Sequence, residues 1–237
     1  MKDDTILRLK EVHTHVNHHH ILQGMNFEVI SGRVTTLLGR NGAGKTSTLR
    51  TIMGVYKANS GEIEFDGEQI RGAESFEVAR KGVGYVPESQ AIFYHLTVEE
   101  NMTLAMLKND DSTKARCEKT LALFPDLKKY WRSKGGVLSG GQRQMLAIAR
   151  AMVNDNKLLL IDEPSKGLAP ILTEALIESF NELKKTETII LVEQNFHMAT
   201  SCGDDYYIID DGRVVHSGQI EDLKHNEKLK KNFLGIG

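Results

Sequence analysis

Val34-Thr-Thr-Leu-Leu-Gly-Arg-Asn-Gly-Ala-Gly-Lys-Thr46, VTTLLGRNGAGKT, joins an unbroken aliphatic run to a glycine-rich turn, and the turn runs into an apolar, helix-compatible segment over residues 47–53. A strand, then G-x-x-x-x-G-K-[ST], then a helix is the context in which this pattern cradles phosphate. The glycines at 39, 42 and 44 let the backbone curl until successive N–H groups point inward, and the helix N-terminus adds partial positive charge. Gly39, Arg40, Asn41, Gly42, Ala43, Gly44, Lys45, Thr46 and Ser47 are thus the candidate nucleotide-binding loop. Lys45 is expected to reach the β- and γ-phosphates of ATP, and the Thr46 hydroxyl to ligate Mg²⁺. Two glycines at that spacing occur by chance at roughly 0.5% of positions, and Lys-Thr after them makes coincidence much rarer.

Such a loop needs a second magnesium anchor on a neighbouring strand. Leu158-Leu-Leu-Ile-Asp162 supplies one: four apolar residues bury the strand, and Asp162 emerges at the end where ligands bind in open α/β sheets. Glu163 comes next and, uncommitted to the metal, is the candidate base for the attacking water. A helix N-cap leading into Pro164 is the plainer use of the same acid pair.

At 237 residues, with 40% hydrophobic and 26% charged residues and a formal net charge of -2, the chain fits a soluble globular protein and not a basic nucleic-acid binder. Its start, MKDDTILRLKEV, lacks a signal-peptide pattern, and nowhere do 18 uncharged apolar residues follow one another, so a cytoplasmic, non-spanning chain is expected. Cys117 and Cys202 form no C-x-x-C pair and read as structural.

Three N-terminal stretches, Ile6-Leu-Arg-Leu9, Phe27-Glu-Val-Ile30 and Ile63-Glu-Phe65 before Asp66-Gly67, predict an antiparallel subsheet. Val34–Leu38, Leu158-Leu-Leu-Ile161 and Ile189-Ile-Leu-Val192 are continuous aliphatic runs, as expected of parallel strands covered on both faces. Helical periodicity dominates residues 96–154, with Met145, Ile148, Ala149 and Met152 marking the buried face of a helix that begins near Ser139. Tyr206-Tyr-Ile-Ile209, Asp211-Gly212 and Val214-Val215 predict a hairpin, and the charge-rich residues 221–231 a solvated terminal helix. His13, His15 and His18-His-His20 are expected in a solvated loop, with an adenine-side contact and a metal site as the alternatives.

Leu138-Ser-Gly-Gly-Gln-Arg-Gln144 opens the Ser139 helix. Alone it is a capped helix start. With the phosphate loop and Asp162-Glu163, the chain resembles the ATP-binding cassette (ABC) ATPases over nearly its whole length. Tyr85-Val-Pro-Glu88, Asp162-Glu-Pro-Ser-Lys-Gly-Leu-Ala-Pro170, Leu191-Val-Glu-Gln-Asn195, Thr97-Val-Glu-Glu-Asn101 and Met145-Leu-Ala-Ile148 are most similar to the LivF-type subunit of branched-chain amino acid importers.

The resemblance implies an α/β P-loop NTPase fold with a RecA-like mixed sheet, an N-terminal antiparallel β-subdomain and an inserted α-helical subdomain. One domain over residues 1–237 is expected, with 1–88 and 156–237 forming the RecA-like and antiparallel lobe and 89–155 the helical signature lobe. It implies an ATPase that works with membrane permease subunits, pairs head to tail with itself or with a second ATP-binding subunit, and serves an extracytoplasmic solute-binding protein indirectly. The chain would sit peripherally on the inner face of the cell membrane and take ATP and Mg²⁺, with no nucleic acid involved. In such a dimer Ser139, Gly140, Gly141 and Gln142 face the γ-phosphate held by the other subunit.

Within that pattern Glu88 replaces the usual Gln and would touch Mg²⁺ or the attacking water with a charge, as a catalytic and metal-side residue. Ala169 stands where an Asp is common, and Gln194 replaces the usual His. Gln194 can donate to the γ-phosphate but, unlike His, carries no proton near neutral pH. Val16 falls where relatives stack an aromatic on adenine, a role open also to His15 or His18. Gln142, Arg143 and Lys166 depart from the subfamily as well. Phe93, Tyr94, Leu96 and Met102 either receive a coupling helix of the permease or pack the helical lobe. A soluble regulatory ABC ATPase uncoupled from transport is the alternative function.

Overall fold

Residues 4–234 are described by the computed structural model; residues 1–3, the start of the N-terminal stretch read above, and 235–237 lie outside. The strands are β1 (Thr5–Val16), β2 (His19–Ile30), β3 (Val34–Leu38), β4 (Ala58–Phe65), β5 (Glu68–Gln69), β6 (Val83–Val86), β7 (Leu158–Asp162), β8 (Ile189–Val192), β9 (Asp205–Asp210) and β10 (Arg213–Gln219). The helices are α1 (Lys45–Ile52), α2 (Ser75–Arg80), α3 (Val98–Ala105), α4 (Asp111–Leu123), α5 (Pro125–Lys129), α6 (Gly140–Met152), α7 (Pro170–Leu183), α8 (Phe196–Cys202), α9 (Ile220–Lys224) and α10 (Glu227–Leu229).

One sheet runs β2-β1-β4-β5, antiparallel throughout; the other runs β10-β9-β3-β8-β7-β6, parallel except for the β9–β10 hairpin. The aliphatic runs are explained by where alternate side chains go. In β7, Leu159 and Ile161 join the core under the helical lobe, while Leu158 and Leu160 join the core under the antiparallel sheet. In β8, Ile189 and Leu191 take the first side and Ile190 and Val192 the second. With a side-chain period of 2 and a core on both faces, every position must be apolar. Each such side chain contributes about 1.5–3 kcal/mol by its burial.

The antiparallel strands are longer than their apolar cores suggested, because β1 lies between β2 and β4 and its ladder continues through polar residues. The register shifts between Leu9 and Val12, where Glu11 takes φ 49°, a bulge that keeps Val12 and Thr14 facing inward. Asn17 and His18 form the β1–β2 turn with φ of 46° and 69°, the left-handed pair of a tight hairpin.

That geometry corrects the expected histidine loop. His13 and His15 lie on β1 and His19 and His20 on β2, with only His18 in the turn. His15 is the register partner of His20 and stacks on it, ring centroids 4.2 Å apart, and His13 Nδ1 lies 3.0 Å from His20 Nε2. Strand pairing gathers these rings on one face; an i, i+2 spacing shares a face, and the opposing strand adds a third ring.

α6 buries more than the predicted stripe. Ile148 and Ala149 are buried as expected, but Leu146 and Ala147 are too, and Met145 and Met152 sit at the cluster's edge. The helix packs against α3, α4, α5 and β6, which leaves only a narrow polar side with Gln142, Arg143 and Arg150. The terminal segment is likewise broken into short turns, because Asn226 caps a new one by accepting from Leu229 N–H at 3.1 Å. Ile220 and Leu223 of α9 are buried, and the charges pair at i, i+3 as Glu221–Lys224 and Glu227–Lys230. Cys117 and Cys202 are buried and free.

Candidate active site

Parallel strands place their C-terminal ends on one edge of a sheet, which is where open α/β folds gather chemistry. Here β3, β8 and β7 are neighbours, so the loop after β3, the Glu193-Gln-Asn195 tip after β8 and Asp162-Glu163 at the end of β7 meet. Residues 39–44 form the turn, and Lys45, Thr46 and Ser47 are the first turn of α1. Gly39 takes φ 146°, and a Cβ there would come 2.2 Å from the Ile209 carbonyl, so the loop packs on β9 only as glycine. The N-cap of α1 is Gly44 in a left-handed conformation, with no side-chain hydrogen bond to the helix end.

Lys45 is 4% exposed; its Nζ donates to the carbonyls of Gly39 at 2.9 Å and Arg40 at 3.1 Å and lies 3.9 Å from Glu163 Oε1. Burial lowers its pKa, and Glu163, Asp162 and Glu193 work against that shift. Thr46 Oγ1 donates to Asp162 Oδ1 at 3.0 Å. Asp162 is fully buried, and its Oδ2 has no hydrogen-bond partner. Burial pushes its carboxyl up to about 6; the Thr46 hydroxyl lowers it, and Glu163 and Glu88 raise it further.

Glu163 sits at φ 46°, rare for a side-chain-bearing residue, with its N–H donating to Val192 O at 2.9 Å. Its Oε1 accepts from Gln194 Nε2 at 2.5 Å, and Gln194 Nε2 also contacts Asn41 Oδ1. Gln194 therefore spans the phosphate loop and the Asp-Glu pair. A cleft of ≈ 230 Å³ opens beside it, lined by Gly39, Arg40, Asn41, Glu193, Gln194 and Phe196.

Glu88 is exposed in the turn after β6 and accepts from Lys166 Nζ at 2.6 Å. Val16 ends β1, half-buried. Ser139, Gly140, Gly141 and Gln142 stand apart at the start of α6. Ser139 Oγ accepts from Gln142 N–H at 3.3 Å, Gln142 Oε1 accepts from Ser139 N–H at 3.0 Å, and Gln142 Nε2 donates to Asp126 at 3.2 Å. Phe93 and Tyr94 are 47% and 49% exposed, each under an arginine of α6: Arg150 lies 4.9 Å from the Phe93 centroid and Arg143 6.0 Å from that of Tyr94. Met102 is buried in the helical lobe.

Glu193 is the residue that sequence reasoning passed over. It is 1% exposed, and its carboxylate accepts from the backbone N–H of Ser165 at 2.9 Å and of Gln194 and Asn195 at 3.0 Å each. Burial raises its pKa, and those N–H bonds lower it. Glu193 thus knots the β8 tip to the segment after β7 and sets where Gln194 and Glu163 face each other. The one signal for it was an acid directly after four buried aliphatics.

A sequence-family profile described as "ABC transporter" matches residues 22–166, more than half of the chain. The chain belongs to the ABC transporter ATP-binding family. This cassette is 39% identical to the high-affinity branched-chain amino acid transport ATP-binding protein BraG of Pseudomonas aeruginosa, over 97% of its own length and 100% of that protein. It is 34% identical to the probable branched-chain amino acid transport ATP-binding protein LivF of Archaeoglobus fulgidus, over 92% and 93% of the two chains. Among solved structures, the ADP conformation of an ATP-binding cassette of an ABC transporter superposes with a TM-score of 0.84 at 25% identity, covering 96% of this chain and 97% of that one. The cassette is an ATP-binding, ATP-hydrolysing subunit of an ABC transporter, similar to LivF-type subunits. Among its described residues no helix is long and apolar enough to cross a membrane.

Proposed function

We propose that the cassette powers uptake of branched-chain amino acids, or of a similarly small solute, through a separate membrane permease on whose cytoplasmic side it docks. It pairs with a second ATP-binding subunit, identical or related, and an extracytoplasmic solute-binding protein delivers the solute. The observation that carries the ATPase half is the meeting of Thr46, Asp162, Glu163 and Gln194 at the tips of three adjacent parallel strands. The names of the similar proteins support the solute class.

In this reading the loop N–H groups, the α1 N-terminus and Lys45 hold the triphosphate. Asp162 and Thr46 offer hard oxygen donors for Mg²⁺, with Glu88 nearby, and the unpartnered buried Asp162 Oδ2 fits such an ion. Magnesium supplies charge neutralisation on the β- and γ-phosphate oxygens. Glu163 takes the proton of the attacking water as its oxygen bonds to the γ-phosphorus, and the bond to the ADP oxygen breaks, leaving ADP and phosphate. Gln194 donates to the γ-phosphate, and Ser139, Gly140, Gly141 and Gln142 act on the partner subunit's nucleotide. Val16 with its neighbouring histidines borders the adenine. Residues 89–155 carry movement between the nucleotide and the permease.

The test is single-turnover ATP hydrolysis by the purified cassette and by Glu163→Gln, which is expected to be at least about 100-fold slower; equal rates would remove Glu163 as the base. Proteoliposomes holding the permease, the partner ATPase and the solute-binding protein then report the solute. Leucine uptake that stops with Glu163→Gln supports the proposal, and ATP hydrolysis without leucine, isoleucine or valine uptake rejects the solute class.

A further inference from the structure

Lys166 lies in the turn after Pro164, where its backbone N–H donates to Glu163 O at 3.1 Å. Its ammonium sits between two acids, 2.6 Å from Glu88 Oε1 and 3.3 Å from Glu163 Oε2. Glu163 is gripped on its other oxygen: Oε1 takes the Gln194 amide and faces Lys45. The direction of the Glu163 side chain is thus set by three contacts, which come from two different parts of the fold. Gln194 and Lys45 belong to the strand tips and the phosphate loop, whereas Lys166 leads to Glu88, in the turn where β6 hands the chain over to the helical lobe.

We propose that Lys166 is a positioning residue that ties the Glu88 carboxylate to the Glu163 carboxylate, so that the aim of Glu163 follows the start of the helical lobe. Two carboxylates this close to a shared point repel unless a cation stands between them. An ammonium with three donors on a flexible stem can serve both and yield to movement of either. The Lys166–Glu88 pair is half-exposed and contributes little to stability, so its consequence is geometric. The inference rests on the reading of Glu163 as the base.

Steady-state ATP hydrolysis by the full chain tests it with Lys166→Met, which keeps length and removes charge, and with Lys166→Arg, which keeps both. Lys166→Met is expected to lower kcat about 5- to 20-fold while KM for ATP and equilibrium binding of a fluorescent ATP analogue stay within about twofold, because the phosphate loop is untouched. Lys166→Arg should regain most of the rate. Glu88→Gln should slow the parent, and combined with Lys166→Met the loss should be smaller than the product of the two single losses, because the tie is cut only once. An unchanged kcat in Lys166→Met, a loss that Arg does not rescue, or additive effects with Glu88→Gln would each overturn the tie. Full activity of Lys166→Met beside an inactive Glu163→Gln rejects the tie and leaves the base standing; full activity of Glu163→Gln removes the base beneath it.

Discussion

α1 and α6 both begin at glycine-rich stretches, yet they treat their first N–H groups differently. α1 has Gly44 as its N-cap and no side chain bonded to its end, whereas α6 is closed by the reciprocal Ser139–Gln142 box. Around α1 the chain supplies a buried ammonium, Lys45, and three acids within its field, Asp162, Glu163 and Glu193. Around α6 the polar partners are Asp126, which accepts from Gln142, and the Leu138 carbonyl, which accepts from Arg143. An end left without a side-chain cap is ready for an anion that bonds several N–H groups at once; an end with a box is stable alone and offers its hydroxyl and remaining N–H groups to something that arrives later. In the proposed function the first helix start binds nucleotide and the second meets the partner subunit.

The contrast breaks most sharply at Lys45. Lys45→Met removes the buried charge at the α1 end and is expected to cut ATP hydrolysis by roughly 100-fold or more. Comparable turnover in that variant would mean the N–H groups suffice.

Asp162, across from Thr46 in the first turn of α1, sharpens the comparison through pH. Its carboxyl titrates at about 6 in the folded chain, above the ordinary Asp value, because burial disfavours the charge. The folded chain therefore binds a proton that the unfolded chain has released, so this group's penalty grows as pH rises from about 4 to 6 and is complete above it. At pH 7.5 in EDTA, Asp162→Asn should raise Tm, by up to about 3 kcal/mol of stability at 1.36 kcal/mol per pKa unit, and should lose magnesium-dependent hydrolysis. Calorimetry from pH 4 to 8 should show the parent losing ground to the variant as pH rises; parallel curves would contradict a buried, costly carboxylate.

At α6 the effect is smaller and divisible. Ser139→Ala removes the cap and should cost about 1 kcal/mol, some 2–4 °C in Tm at this chain length. Ser139→Asp restores the cap but, in the proposed pair, would turn a carboxylate toward the partner's phosphate, so Tm should return while hydrolysis in the assembled pair stays low. If Asp restores both, the first turn of α6 serves only its own helix.

The two helix starts were unequally legible in the sequence. Around α1 the strand, turn and helix were legible because local rules coincide: continuous aliphatics mean strands covered on both faces, and G-x-x-x-x-G-K-T after such a strand leads into a helix. Asp162 followed from the end of a run of the same kind, whereas Gln194 was named through the family resemblance. The tertiary ties were not legible. Glu193 accepts a bond from an N–H 28 residues away, and β9 joins β3 in parallel although only its hairpin with β10 is local. The histidines were placed in a loop because spacing along one strand does not reveal its neighbour. Lys166 stood out as an unusual residue, but its two carboxylate partners come together only when β6 and β7 pair.

Arg143 and Arg150 stand two turns apart on α6 and hold Tyr94 and Phe93 from behind. A helix of 13 residues is a rod about 20 Å long at 1.5 Å per residue, and its near end is Ser139. Two half-exposed rings are thus pinned to the shaft of the same rod whose tip is the capped serine. Rings and serine are thereby carried by one helix, so any displacement of that helix as a body moves both together.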